Sequence, residues 1–329
     1  MPISNLLLFV IVLALVFEFI NGMRDSSNIV ATMISSRAFR PQTALGMTAV
    51  AEFAGPLLFG VTVAKTVGDG IVASKVLSLQ ALAMGLVGAI LWNLITWFFG
   101  IPSSSSHALI GGLIGAALIS SGMDAVKFSG LYKVMAALFI SPVICFFAGL
   151  LILKIIYFLA RNATPHINTF FKRSQLVTAV TLAFSHGTND AQKTIGVITL
   201  SLVISGRLND FSVPFWVVLI SAATMAIGTS FGGWRLIRTL GGKFYKIRPV
   251  HSFATQLTSG IVILSASGFG LPVSTSQVVS SAIIGVGASE RLGKVRWGVV
   301  GDILMAWLIT IPAAGLLSAG GYWLLVNLG

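Results

Sequence analysis

Two aspartates stand inside apolar sequence, each among amides and hydroxyls. The first lies in Asn21-Gly22-Met23-Arg24-Asp25-Ser26-Ser27-Asn28 and the second in Ser185-His186-Gly187-Thr188-Asn189-Asp190-Ala191-Gln192-Lys193. A carboxylate in a membrane-length apolar run costs about 2.5–3.5 kcal/mol on insertion scales, so those that persist mark ion or substrate paths. Asp25 with Asn28, and Asp190 with Asn189 and Gln192, offer hard oxygen ligands to a small cation, or a seat for a proton. Gly22 and Gly187 come just before the aspartates, which predicts that each helix is interrupted there, freeing backbone groups to bind ions. The plainer alternative is an Asp capping a helix in a short loop. Its recurrence in two similar motifs argues against that.

A second pair of motifs is rich in hydroxyls. Ser103, Ser104, Ser105 and Ser106 follow Pro102, and Ser274, Thr275 and Ser276 follow Pro272. Proline followed by serine reads as a break and then a helix start, and the free N–H groups of a helix start bind oxyanions. Two such starts converging from opposite sides would enclose a tetrahedral anion. Ordinary serine packing between helices in lipid is the competing account. Lys193 pairs with Asp190, attracts the anion, or snorkels toward the surface; with Asn189 and Gln192 it completes the candidate substrate contacts. His107 and His186 lie in the same motifs and titrate near neutrality, as proton coupling requires, although a hydrogen-bonded packing histidine is the plainer reading. Glu52 is a further carboxylate in an apolar run. It joins Asp25, Asn28, Asp190, His107 and His186 as a candidate for the coupling ion.

The motifs come in repeat-related pairs. Asp25 and Asp190 are 165 residues apart, Pro102 and Pro272 are 170 apart, and Gly60 with Lys65-Thr66-Val67-Gly68 matches Gly233 with Arg238-Thr239-Leu240-Gly241 at 173. Ordered correspondences at a near-constant offset define a duplication, a common plan among transporters. Residues 1–160 form the first repeat, 161–173 a short polar linker with Pro165 and His166, and 174–329 the second repeat. An odd number of crossings per repeat inverts the second relative to the first. Glu52 falls opposite Met225 in the repeat alignment, so the site is asymmetric.

The elements that position these residues must live in lipid. The 329 residues are 56% hydrophobic and 9% charged, more apolar surface than a soluble core can bury. Eight stretches reach or approach the ~20 residues of a spanning helix: 3–20, 42–64, 77–99, 131–160, 174–204, 213–233, 251–267 and 297–326. The run 6–16 lacks a preceding basic residue and a cleavage site, and reads as a spanning helix rather than a secretory signal. Only short apolar segments follow the Pro-Ser motifs, which predicts re-entrant hairpins. The fold class is therefore an all-α polytopic membrane protein, two inverted-topology repeats with interrupted helices and re-entrant hairpins, in the cell membrane. The net charge of +12 sits mostly between apolar runs and reports topology, not nucleic-acid binding. Arg37 with Arg40, Arg161 with Lys172 and Arg173, and Lys243, Lys246 and Arg248 mark the expected cytoplasmic loops, which leaves both termini outside. Cys145, the single cysteine, excludes a disulfide framework and reads as packing.

At this point the chain resembles the inorganic phosphate transporter (PiT) family over essentially its whole length. The resemblance rests on Asn-Gly-x-x-Asp-x-x-Asn at Asn21 to Asn28, on Ser-His-Gly-x-Asn-Asp-Ala-Gln-Lys at Ser185 to Lys193, and on both Pro-Ser hairpins. It implies symport of phosphate with sodium or protons, often as a homodimer, with no cofactor beyond the coupling cation and with phosphate able to travel as a metal complex. Arg24, Gln256 and Gln277 depart from the family's pattern, where Asn or His, Glu, and His are usual. The expectation is a secondary active, cation-coupled transporter of inorganic phosphate working by alternating access. A permease for sulfate or another tetrahedral oxyanion is the alternative, followed by an ion channel. An intramembrane enzyme built on Ser106 and His107 is set aside, because adjacent residues do not face each other on a helix.

Overall fold

The computed structural model describes residues 4–232 and 247–328. Among these residues the regular structure is helical, apart from one isolated bridge between Val72 and Val126. The helices are α1 (Asn5–Ser35), α2 (Pro41–Phe59), α3 (Thr62–Gly68), α4 (Leu79–Phe99), α5 (Ser105–Ser121), α6 (Phe128–Leu159), α7 (Ile167–Ile204), α8 (Phe215–Phe231), α9 (Pro249–Gly268), α10 (Thr275–Glu290) and α11 (Trp297–Leu328). Local chemistry sets their starts. Ser4, Ser78, Ser104 and Ser274 cap α1, α4, α5 and α10 by accepting a backbone N–H, and Pro41 and Pro249 open α2 and α9 where a missing N–H costs nothing. The turns into both Pro-Ser segments pass through left-handed glycines, Gly100 at φ 68° and Gly270 at φ 67°, a backbone that side chains resist.

Among the described residues four helices are long and apolar enough to cross a membrane, and α2 with α3 makes a fifth if that pair, bent by 84°, counts as one span. Large apolar side chains on their outer faces, such as Phe98, Phe99, Phe147 and Leu316, are exposed, as lipid requires. The protein is a multi-pass integral membrane protein. The hairpin helices α5 and α10 have 17 and 16 residues, or about 25 Å at 1.5 Å per residue, short of the roughly 30 Å hydrocarbon core. Helix α7 has 38 residues but is not among the apolar spans, because its middle carries the second aspartate motif, buried in protein.

One expectation fails in its location. Helices α1 and α7 run unbroken through Gly22 and Gly187; the breaks lie instead between α2 and α3 and before α5 and α10. The glycines serve close approach. A Cβ on Gly22 would lie 2.4 Å from the Met225 carbonyl oxygen, and one on Gly187 would lie 2.2 Å from that of Glu52, so neither position admits a side chain. Helix α1 packs on α8 and α7 on α2; likewise α5 packs on α11 and α10 on α6. Each half thus buries its helices against the other half.

The ends of the bundle differ in charge. Ser36, at the end of α1, donates to Gln175 Oε1 near the start of α7 (2.9 Å), and Gln175 Nε2 donates to the Pro249 carbonyl at the start of α9 (3.3 Å). Arg37, Arg40, Arg161, Lys172, Arg173 and Arg248 therefore gather at one end. The linker 161–173 is partly helical, since α7 begins at Ile167. Gly233, Arg238, Thr239, Leu240 and Gly241 of the third repeat correspondence, and Lys243 and Lys246 of the third basic cluster, lie outside the described residues.

Candidate functional site

Helices α1 and α7 run antiparallel with their polar faces together: Asp25 lies near His186, and Glu18, earlier on α1, bonds Thr194, later on α7. His186 is the hub. Its Nδ1 is 2.6 Å from Glu52 Oε1, and its Nε2 is 2.9 Å from Asp190 Oδ2 and 4.0 Å from Asp25 Oδ2. Asp25 accepts from Asn28 Nδ2 and from Ser105 Oγ of the first hairpin, each at 3.0 Å. Glu52 also accepts from Thr229 of α8, and Asp190 from Lys193. One ligand atom each of Asp25, His186 and Asp190 falls within 4.8 Å of the others. Glu52, His186 and Asp190 are fully buried and Asp25 is 3% exposed, so the centre is closed to solvent on both sides.

The two hairpin starts meet at this centre. Lys193 Nζ donates to Ser106 Oγ (2.5 Å) and to the Val273 carbonyl (2.7 Å) as well as to Asp190, which commits all three of its hydrogens. Ser106 Oγ itself donates to the Val273 carbonyl (3.1 Å), and Gln277 Nε2 lies 3.1 Å from His107 Nδ1. Asn189 and Arg24 hold the two segments in place. Asn189 donates to Ser267 Oγ (2.8 Å) and the Leu271 carbonyl (3.1 Å) and accepts from Val273 N (3.0 Å). Arg24 donates to Ser103 Oγ (2.8 Å) and to Asn93 of α4. Arginine at position 24 thus does for the first hairpin what asparagine does for the second.

The Phosphate transporter family model (PHO4) matches residues 21–166 and 159–318. The chain is 45% identical over 320 residues to the probable low-affinity inorganic phosphate transporter of Rhizobium meliloti, covering 97% of this chain and 96% of that one. This chain belongs to the phosphate transporter family. A similarly described protein of Bacillus subtilis is 42% identical, covering 97% of each chain. The same fold occurs in a solved structure described as the sodium-dependent phosphate transporter, with TM-score 0.89 and 24% identity over 98% of this chain and 99% of that chain.

Within this family fold, the residues singled out by type and spacing separate into three groups. Asp25, Asn28, Asp190, Glu52, His186, Lys193, Ser105 and Ser106 join in one buried network. Ser103, Asn189 and Gln192 bond other protein groups: Ser103 engages Arg24 and Thr96, and Gln192 Oε1 caps α3 through Val63 N (2.8 Å) and Ala64 N (3.2 Å). Ser104 and Ser274 are helix caps, the latter also bonded to Ser276 (3.1 Å), and His107 bonds Gln277. Polar atoms that remain buried without a hydrogen-bond partner include Thr275 Oγ1, Thr188 Oγ1 and Gln192 Nε2. Unpaired buried polar atoms are costly, and Thr275 Oγ1, in the first turn of α10, is a donor that a ligand at that hairpin start would satisfy. Sequence reasoning missed Glu18, although it meets the same criterion as Glu52, a carboxylate in an apolar run. It also missed the pairing of Arg24 with Asn93, 69 residues away, which no local signal marks. Gly228-Thr229-Ser230-Phe231-Gly232 spells the nucleophile-elbow pattern, yet it ends helix α8 with Ser230 Oγ bonded to the Ala226 carbonyl (2.9 Å), not the strand-to-helix turn an elbow needs.

Proposed function

We propose that the chain carries inorganic phosphate by symport with protons or sodium, its two inverted repeats working by alternating access. The charge of the buried centre carries this reading. Asp25, Glu52 and Asp190 are buried in it, with Glu18 buried two turns from Asp25 along α1, against Arg24 and Lys193 as buried fixed cations. Such a centre resists a further anion arriving alone: two like unit charges at 4 Å repel by about 4 kcal/mol at an effective dielectric of 20. A cation or proton that enters with the anion removes the excess, which favours symport over uniport. Asp25, His186 and Asp190 offer it oxygen and imidazole donors; the N–H groups and hydroxyls at the starts of α5 and α10, Ser104, Ser105, Ser274 and Thr275 among them, suit the oxyanion.

Two observations support alternating access between inverted repeats 1–160 and 174–329. Helix α10 runs toward the basic end, where Glu290 meets Arg248 and His251. Helix α5 runs to the end where Lys127 pairs with Asp69 (2.9 Å). Two half-crossing helices that start at one closed centre and run to opposite faces make a site that either face can open. The burial of the segments where they start supports a carrier over a permanent pore, and the repeat pairing is simpler for a carrier than for a channel.

Phosphate is favoured over sulfate by its proton. Monohydrogen phosphate donates one hydrogen bond, which Asp25 or Asp190 can accept, whereas sulfate leaves that acceptor unpaired. The test is competition for uptake of labelled phosphate by purified protein in liposomes. Unlabelled phosphate and arsenate should compete strongly, and sulfate at the same concentration weakly. Equal displacement by sulfate defeats the assignment.

A further inference from the structure

We infer that Glu18 is a proton-binding station of the coupling path, separate from the centre at Asp25, His186 and Asp190; this rests on the symport reading above. Glu18 is fully buried in the middle of α1. One oxygen, Oε2, accepts from Thr194, while Oε1 has no hydrogen-bond partner. One turn further along the same face of α1, Asn21 Oδ1 is also buried and without a partner. Two turns from Glu18 comes Asp25, about 10 Å away at 1.5 Å per residue.

These groups form a polar seam between antiparallel helices: Glu18, Asn21 and Asp25 on α1, and Thr194, Asp190 and His186 on α7. A buried carboxylate with an idle oxygen is expensive to keep for packing alone. Among charged groups, Asp190, His186 and Lys193 act on Glu18 through space, and Arg24 and Asp25 share its helix. Of the other elements packed on α1, α4 and α8 carry no titratable side chain, while α2, α9 and α10 bring Glu52, His251 and Glu290. Among the described residues no basic side chain has its hydrogens on Glu18, since those of Lys193 are committed elsewhere and Arg24 donates to Asn93 and Ser103.

The ligand chemistry favours a proton over a metal cation. A hard cation gathers about six oxygens, more than Glu18, Thr194 and Asn21 supply. A proton needs one. It binds at Oε1, converts the carboxylate to a neutral carboxyl, and leaves from the same atom when the seam opens to the other face. Glu18 lies on the side of Asp25 away from the basic end, so a proton crossing toward that end reaches Glu18 first.

The test compares wild type with Glu18→Gln, which mimics the protonated carboxyl, and with Glu18→Asp, which keeps an ionisable group. Purified protein in liposomes is given a proton gradient, and lumenal acidification is recorded beside phosphate uptake. Loss of about one proton per phosphate is expected in E18Q and not in E18D. An unchanged ratio in E18Q, or wild-type uptake that moves no protons, overturns the inference. No phosphate uptake by wild type instead defeats the transport reading itself. Should the variants fail to transport, the infrared carboxyl band of the purified proteins decides: a pH-dependent band of a buried protonated acid present in wild type and missing in E18Q supports the station, and its presence in both overturns it.

Discussion

Gln277 Nε2 and His107 Nδ1 are 3.1 Å apart, and the two residues hold the same third position in helices α10 and α5. The two hairpins therefore touch through matching positions of their helices. If this contact ties the hairpins, removing both partners should cost less than the sum of removing each. A double-mutant cycle with His107→Leu and Gln277→Leu, read as thermal midpoints in detergent, is expected to give a coupling of about 0.5–3 kcal/mol. Strict additivity would show that the contact ties nothing.

Asp25→Asn and Asp190→Asn should each abolish coupled phosphate uptake while the protein still inserts and stays folded. Removing a buried charge eases insertion, and the amide keeps the shape of the acid. Asp190→Asn also weakens the hold on Lys193, so its effect on thermal stability should exceed that of Asp25→Asn. Normal transport by both variants would make the aspartates structural.

The glycines of the two motifs test the packing of α1 on α8 and α7 on α2. Gly187→Ala forces a methyl against the Glu52 carbonyl, at 2.2 Å in the undistorted backbone, and overpacking of this kind costs about 1–3 kcal/mol or more. Gly46, in α2, has nothing within 4 Å of a built Cβ, so Gly46→Ala is expected to be neutral or to stabilise by up to about 1 kcal/mol. The comparison of thermal midpoints checks both; equal behaviour of the two variants would contradict the close crossing.

Much of the site was legible because a few residue types are conspicuous in apolar sequence. Asp25, Asp190, Glu52 and the Pro-Ser runs announced themselves by composition, and their repetition located the two hairpins. Long-range partners were not legible. Glu52 and His186 are 134 residues apart, and nothing local marks them as neighbours. Gly22 and Gly187 misled about helix continuity because glycine serves a break and a close crossing equally well. Asn189, Gln192 and Lys193 read as substrate contacts in the sequence, and no local signal marks the protein partners that Asn189, Lys193 and one end of Gln192 bond in this conformation.

The gathering of basic residues at one end makes orientation testable. With that end in the cytoplasm, cysteines introduced at Ala163 or Thr169, both exposed, should resist an impermeant thiol reagent added to intact cells and react after permeabilisation. Cys145 is buried and should stay silent. Ready labelling from outside would reverse the orientation.

Coupling is tested most directly by uphill transport. Purified protein is reconstituted in liposomes with equal phosphate on both sides, and an inward gradient of protons or of sodium is imposed, each alone. Symport predicts that at least one gradient drives phosphate to a higher concentration inside, that dissipating the gradient abolishes the accumulation, and that Asp25→Asn and Asp190→Asn show none. Phosphate that equilibrates at the same rate and to the same level whichever gradient is imposed would contradict cation-coupled transport.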